Sequence, residues 1–178
     1  MIPKGDFEAE MERRLGGARR VAFVGIGDEL QPRDRLGMLA AREIDALHLK
    51  DVRVFLAGSV PESFTAPIRR LRPDHVILLD AADMGLRPGT VDVIDASRVQ
   101  GTRLSTHALP LSVVIEYLEA VVKVPVTLIG IQPDLAHGGP APTPAEGAGI
   151  TRTVACAHRC LSDRPRTTAG PSVRVPYV

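Results

Sequence analysis

The sequence predicts an α/β fold: a single three-layer domain whose twisted, mostly parallel sheet of about five strands carries helices on both faces. Short apolar runs recur along the chain, stretches with helical spacing lie between them, and one run alternates apolar with acidic residues. An unbroken apolar run of strand length marks a strand buried on both faces. Alternation marks a strand with one wet face.

Residues 1–20 are rich in Glu and Arg and read as an N-terminal extension, without the continuous apolar stretch of a signal peptide. The domain proper spans 21–162. Its first strand, Val21 to Gly25, runs into a glycine-containing loop. Leu36, Leu39, Ala40, Ile44 and Leu47 then recur at helical spacing, with Asp34 placed to cap the first turn. Val52 to Ala57 and Val76 to Asp80 supply two further buried strands. Val91 to Asp95 reads Val, Asp, Val, Ile, Asp, which suits a half-exposed edge strand antiparallel to the rest. Leu111, Val114, Ile115, Leu118, Val121 and Val122 form a second helical stripe, with Pro110 in its opening turn. Val126 to Ile131 is the last strand. Gly138 to Gly149, with three Pro and four Gly, reads as a loop, and Ile150, Val154, Ala157 and Leu161 as a third helix. Residues 163–178 contain three Pro and no clear period, so a flexible tail is expected.

With 44% apolar residues in 178, the chain can bury one substantial core. Twenty-two basic against 21 acidic residues leave a charge of +1, too weak a field for a nucleic-acid backbone. Aromatics at 3%, with no Trp, leave few stacking platforms for single strands. No apolar run approaches the ~20 residues of a membrane span, so no membrane insertion is expected. The two cysteines, Cys156 and Cys160, are four apart, a spacing that disfavours a disulfide and fits a reducing, cytoplasmic setting.

In an open α/β sheet a ligand site lies outside the carboxyl ends of the strands. Asp34, Asp80 and His107 fall there. Two carboxylates and an imidazole suit nickel or zinc and leave coordination positions open. Each also has an ordinary reading: Asp34 as a helix cap, Asp80 as an acceptor at a strand end, and His107 as one of five histidines. Other candidates are weaker. Gly25-Ile26-Gly27 begins a dinucleotide fingerprint but has Leu30 where the third glycine belongs. Cys156 and Cys160 share a helical face that His158 does not join, and read as small buried side chains. Ser59 and Ser105 lack the G-x-S-x-G elbow of a serine hydrolase.

Leu71-Arg72-Pro73, followed by the segment from Val76 through Asp80-Ala81-Ala82-Asp83-Met84-Gly85 to Gly89, resembles the hydrogenase maturation endopeptidases, nearest to their formate-hydrogenlyase subgroup. The resemblance continues through Gly58-Ser59-Val60-Pro61-Glu62, Ser105-Thr106-His107, Leu109-Pro110-Leu111 and Gly130-Ile131-Gln132-Pro133-Asp134, and covers roughly residues 21–162. It implies a cytoplasmic endopeptidase that removes the C-terminal extension of a nickel-loaded hydrogenase large-subunit precursor. Nickel would be supplied by that substrate, with no organic cofactor. Asp34, Asp80 and His107 would serve as metal ligands and catalytic groups, and Gly58, Ser59 and Asp83 would contribute to substrate recognition. Asp83 also reads as an ordinary turn residue. The chain departs from the family at Gly27-Asp28 and Arg33-Asp34-Arg35, where the family usually has Gly-x-Gly-Asn and Asp-Asp-Gly, and at Leu56-Ala57, which lacks a frequent acidic residue. A guanidinium ~8 Å from a divalent ion, at an effective dielectric of ~40, opposes its binding by about 2 kcal/mol. The alternative implied is an inactive relative that binds a nickel-loaded partner or metal without cleavage.

Overall fold

A computed structural model describes residues 7–95 and 110–162. The expected metal ligand His107, Ser105, and the expected tail at 163–178 lie outside these residues. Five strands form one sheet in the order β2-β1-β3-β5-β4. They are β1 (Val21–Ile26), β2 (Val52–Gly58), β3 (His75–Ala81), β4 (Val91–Ile94) and β5 (Val126–Ile131). β1 lies parallel between β2 and β3, and β3 pairs parallel with β5. β4 closes one edge antiparallel to β5, with Val91 opposite Ile131, in keeping with its alternating sequence. The central strands β1 and β3 are buried at every position, which is why they read as continuous apolar runs.

Alternate side chains of these strands enter opposite layers. Val21, Phe23, Ile77, Leu79, Ile129 and Ile131 pack with α1 (Phe7–Leu15), α2 (Leu36–Ala46) and α5 (Pro144–Ser162). Ala22, Val24, Ile26, Val76, Leu78 and Leu128 pack with α3 (Thr65–Leu71) and α4 (Leu111–Tyr117) on the other face. α4 continues as a π-helical turn over Leu118–Val122. The N-terminal residues thus add a helix whose Phe7, Met11 and Leu15 are buried in the shared core.

Three local expectations are corrected. Asp34 does not cap α2: Arg35 holds that position, with no side-chain cap. The Asp34 carboxylate accepts the Asp28 amide instead. Pro110 sits just outside α4, as its N-cap. The expected loop up to Gly149 ends earlier, because α5 begins at Pro144. Thr143 and Glu146 form a capping box there, the Thr143 amide donating to Glu146 Oε2 at 2.7 Å and the Glu146 amide to Thr143 Oγ1 at 3.2 Å. Of the glycines in this stretch, Gly149 serves close backbone packing: a Cβ there would lie 2.5 Å from the Gly89 carbonyl oxygen.

Candidate functional site

The chain leaves β1 for β2 on one side of the sheet, while the later strands add beyond β3 on the other. The order therefore reverses between β1 and β3, and such a reversal opens a crevice at the carboxyl ends of the two strands. Asp80, the penultimate residue of β3, is 1% exposed there. Asp34 lies in the connection from β1 to α2. The first turn of α2 rests directly on both strand ends, since a Cβ on Gly37 would lie 2.2 Å from the Leu79 oxygen and 2.7 Å from the Ile26 oxygen. Only glycine permits that approach. Asp34, three residues before Gly37, and Asp80, next after Leu79, are thereby brought to one rim.

The Asp34 side chain is half-buried and oriented by its own loop. Its Oδ2 accepts the Asp28 amide at 2.9 Å, and its Oδ1 makes no hydrogen bond among the described residues. Asp28 Oδ1 in turn accepts the Leu30 amide at 2.9 Å. The cationic neighbours differ from each other. Arg33 is exposed, whereas Arg35 is 3% exposed and donates to the carbonyls of Gly139 at 3.0 Å and Ala141 at 2.7 Å. Arg35 therefore ties the loop after β1 to the loop after β5, an anchoring role that the sequence did not disclose.

Gly58 takes φ +59° at the end of β2, and its carbonyl accepts the Gly27 amide at 2.9 Å, joining the first two loops of the rim. Ser59 beside it is exposed. Asp83 is exposed too, and its Oδ1 accepts the Gly85 amide at 3.2 Å, the geometry of a turn residue. The same oxygen receives Gln132 Nε2 at 3.3 Å. Gln132 is 2% exposed, and its Oε1 accepts the amides of Met84 at 2.7 Å and Leu86 at 3.2 Å, so it shapes the loop that follows Asp80. Glu146, 1% exposed, accepts the Asp134 amide at 2.9 Å and fixes the loop after β5. Gln132 stands in the Gly130-Ile131-Gln132-Pro133-Asp134 motif with no role evident from the sequence. An amide directly after a buried apolar strand was the available signal.

Two carboxylates alone make an incomplete cation site. Among the described residues no group of three or more His, Cys, Asp or Glu side chains could hold a metal ion. The imidazole expected to complete the set is His107. Away from the rim, the thiols of Cys156 and Cys160 lie with their sulfurs 4.0 Å apart, in hydrogen-bond contact rather than in a disulfide. The hydrogen bond to Cys160 and burial push the Cys156 thiol well above the usual range. At the amino end of β3, burial and then the Arg14 charge lower His75 to about 4. Its Nε2 lies 2.8 Å from Thr127 Oγ1, which also accepts from Arg14.

The sequence profile of the hydrogenase maturation protease family HycI matches residues 39–153, a stretch that contains Gly58, Asp80, Asp83 and His107 and begins just after Asp34. The chain is 34% identical over 111 residues to the hydrogenase 3 maturation protease of Escherichia coli, covering 62% of this chain and 70% of that protein. In structure it is similar to the [NiFe] hydrogenase maturation protease HycI from Thermococcus kodakarensis, with TM-score 0.78 and 28% identity over 86% of this chain and 99% of the other. It is also similar to the endopeptidase HycI from Escherichia coli, with TM-score 0.65 and 29% identity over 76% of this chain and 87% of the other. A rim carrying Asp34 and Asp80 at the sheet's switch point, on a chain matched over most of its length by one family, leads to a single assignment: this protein belongs to the hydrogenase maturation protease family.

Proposed function

We propose that this endopeptidase removes the C-terminal extension of a hydrogenase large-subunit precursor, and that it reads the nickel already inserted in that precursor through Asp34, Asp80 and His107. The observation that carries the reading is the pair of carboxylates at the β1/β3 switch point in a member of this family. Asp34 arrives with one oxygen fixed by the Asp28 amide, so its other oxygen can meet a cation at little cost in side-chain entropy. Asp80 is held within the sheet end, where bulk water competes poorly for a ligand. A neutral imidazole from His107 would complete a three-donor set with open positions, as suits nickel.

Peptide hydrolysis needs a polarised carbonyl, an activated water and a proton for the departing amine. In this reading nickel enters as the substrate's cargo and aligns the tail against the rim. One of the two aspartates takes a proton from water and returns it to the leaving nitrogen. The surroundings suit a polypeptide, since Leu30, Val60 and Leu135 stand exposed in the loops after β1, β2 and β5. Gly58 ends β2 on the same rim, Ser59 and Asp83 stand in the loops beside it, and the three would line the path of the tail.

The test is incubation of the full chain with nickel-loaded and nickel-free precursor, read by mass spectrometry. Tail release from the loaded form only is expected. Equal release from both forms would sink the nickel-reading mechanism, and a stable complex without release would make this protein a binding relative.

A further inference from the structure

The amino-terminal end of the sheet carries a feature that proteolysis does not use. Arg20, Arg69, Arg70 and Arg72, with Leu71, line an open cavity of about 520 Å³. Arg20 immediately precedes β1, and the other three lie at the end of α3, just before β3. The parallel strands β1 and β3 separate this cavity from Asp34 and Asp80, which lie at their carboxyl ends, by roughly the 3.3 Å per residue of a strand's length.

Four arginines line one concavity, and few of their side chains are engaged. Arg20 donates to the Leu71 carbonyl at 2.8 Å, while the side chains of Arg69, Arg70 and Arg72 make no hydrogen bond or ion pair among the described residues. The nearby carboxylate of Asp74 is engaged by the backbone, its Oδ2 accepting the amides of Arg19 at 2.8 Å and Arg20 at 2.7 Å. Arg72 also ends α3 in the left-handed region, φ 52°, a position that glycine or asparagine fills at lower cost. Like charges gathered around a concavity repel one another, and a multiply charged anion would relieve that repulsion.

We propose that this cavity binds a ligand through two or more linked phosphoryl groups. Planar guanidinium forks match the oxygens of a phosphoryl group bidentately, and four of them exceed what one carboxylate can satisfy. The volume accommodates more than a single phosphate. Among the described residues Leu71 is the one apolar residue in the lining and no aromatic side chain contributes, so these residues offer no platform for a nucleotide base.

Calorimetric titration of the full chain with pyrophosphate at low ionic strength tests this. Saturable binding is expected, weakened at least tenfold in the double variant Arg69→Gln/Arg70→Gln and weakened further as salt rises. Both side chains are exposed, so the variant should keep its circular dichroism spectrum and its rate of precursor processing. Adenosine diphosphate should bind within about threefold of pyrophosphate, because the phosphoryl groups alone are read. Absence of binding at millimolar pyrophosphate, or binding unchanged in the variant, would overturn the proposal. So would tighter binding of a glutamate-rich peptide, which would make the cavity a docking patch for an acidic protein segment, or of adenosine diphosphate by tenfold, which would require recognition of the nucleoside.

Discussion

Asp34 and Asp80 reach the same rim by different routes, one held by a loop amide and the other carried in by a buried strand. Asp34→Ala, Asp80→Asn and His107→Ala should each lower tail release at least a hundredfold, because donors that position one ion act as a set. Mass spectrometry of the product, with circular dichroism to establish folding, checks this; full activity in any one variant would remove that residue from the set. His75 supports a prediction of a different kind. Its folded pKa of about 4 lies below the usual 6.5, so the unfolded chain binds the extra proton first. The neutral ring shares a hydrogen bond with the Thr127 hydroxyl, which also accepts from Arg14, and stability is full above pH 6.5. Stability should then fall by up to about 3 kcal/mol as pH drops from 6.5 towards 4. Urea midpoints at pH 7 and pH 4.5 should differ less in His75→Gln than in the parent; an equal difference would show that other groups carry the acid sensitivity. At this scale the rim position of Asp34 was legible in the sequence, but its bonding was not. Its position before a helix suggested a cap, whereas the Asp28 amide six residues back captures the carboxylate.

Among the elements, the central strands were readable because burial on both faces leaves an unbroken apolar run, as at Val76 to Leu79; β2, expected to be buried, is instead an edge strand in which only Ala57 is fully buried. β4 was readable because Val91 and Val93 enter the core while Asp92 between them is only half-buried. The start of α5 was obscured by Gly147 and Gly149, and the reason is tertiary. Gly149 is needed where the helix meets the backbone of Gly89, a contact between segments sixty positions apart. The capping pair Thr143 and Glu146 was present in the sequence as the competing signal. Thr143→Ala should cost about 1 kcal/mol. Glu146→Ala should cost more, about 2–3 kcal/mol, since it leaves the amides of Thr143 and Asp134 without their charged acceptor. Chemical denaturation orders the two; equal costs would mean that the Asp134 contact contributes nothing. The roles of Arg35 and Gln132 were illegible for a related reason. Their partners, at Gly139 and Ala141 for one and at Met84 and Leu86 for the other, lie 46 to 106 positions away.

Over the whole molecule, the N-terminal helix is part of the core rather than an appendage. Phe7, Met11 and Leu15 are each at most 3% exposed. Their burial contributes about 5 kcal/mol gross, much of it offset by ordering the helix. Removing residues 1–16 should therefore lower stability by about 1–2 kcal/mol and the melting temperature by a few degrees. Calorimetry would show this, and an unshifted transition would mean that α1 is not docked in solution. The edges of the sheet have a consequence of another sort. A parallel sheet pairs strands distant in sequence and so assembles slowly, leaving its margins open to wrong partners during folding. Here β4 gives one margin only four residues, with Asp92 among them, and β2 places the exposed Arg53 on the other. Short length and charge discourage a second chain from continuing the ladder. Asp92→Val should lengthen the apolar margin and raise the aggregated fraction on refolding at micromolar concentration, so that light scattering would register the loss of a safeguard that the folded enzyme itself never displays.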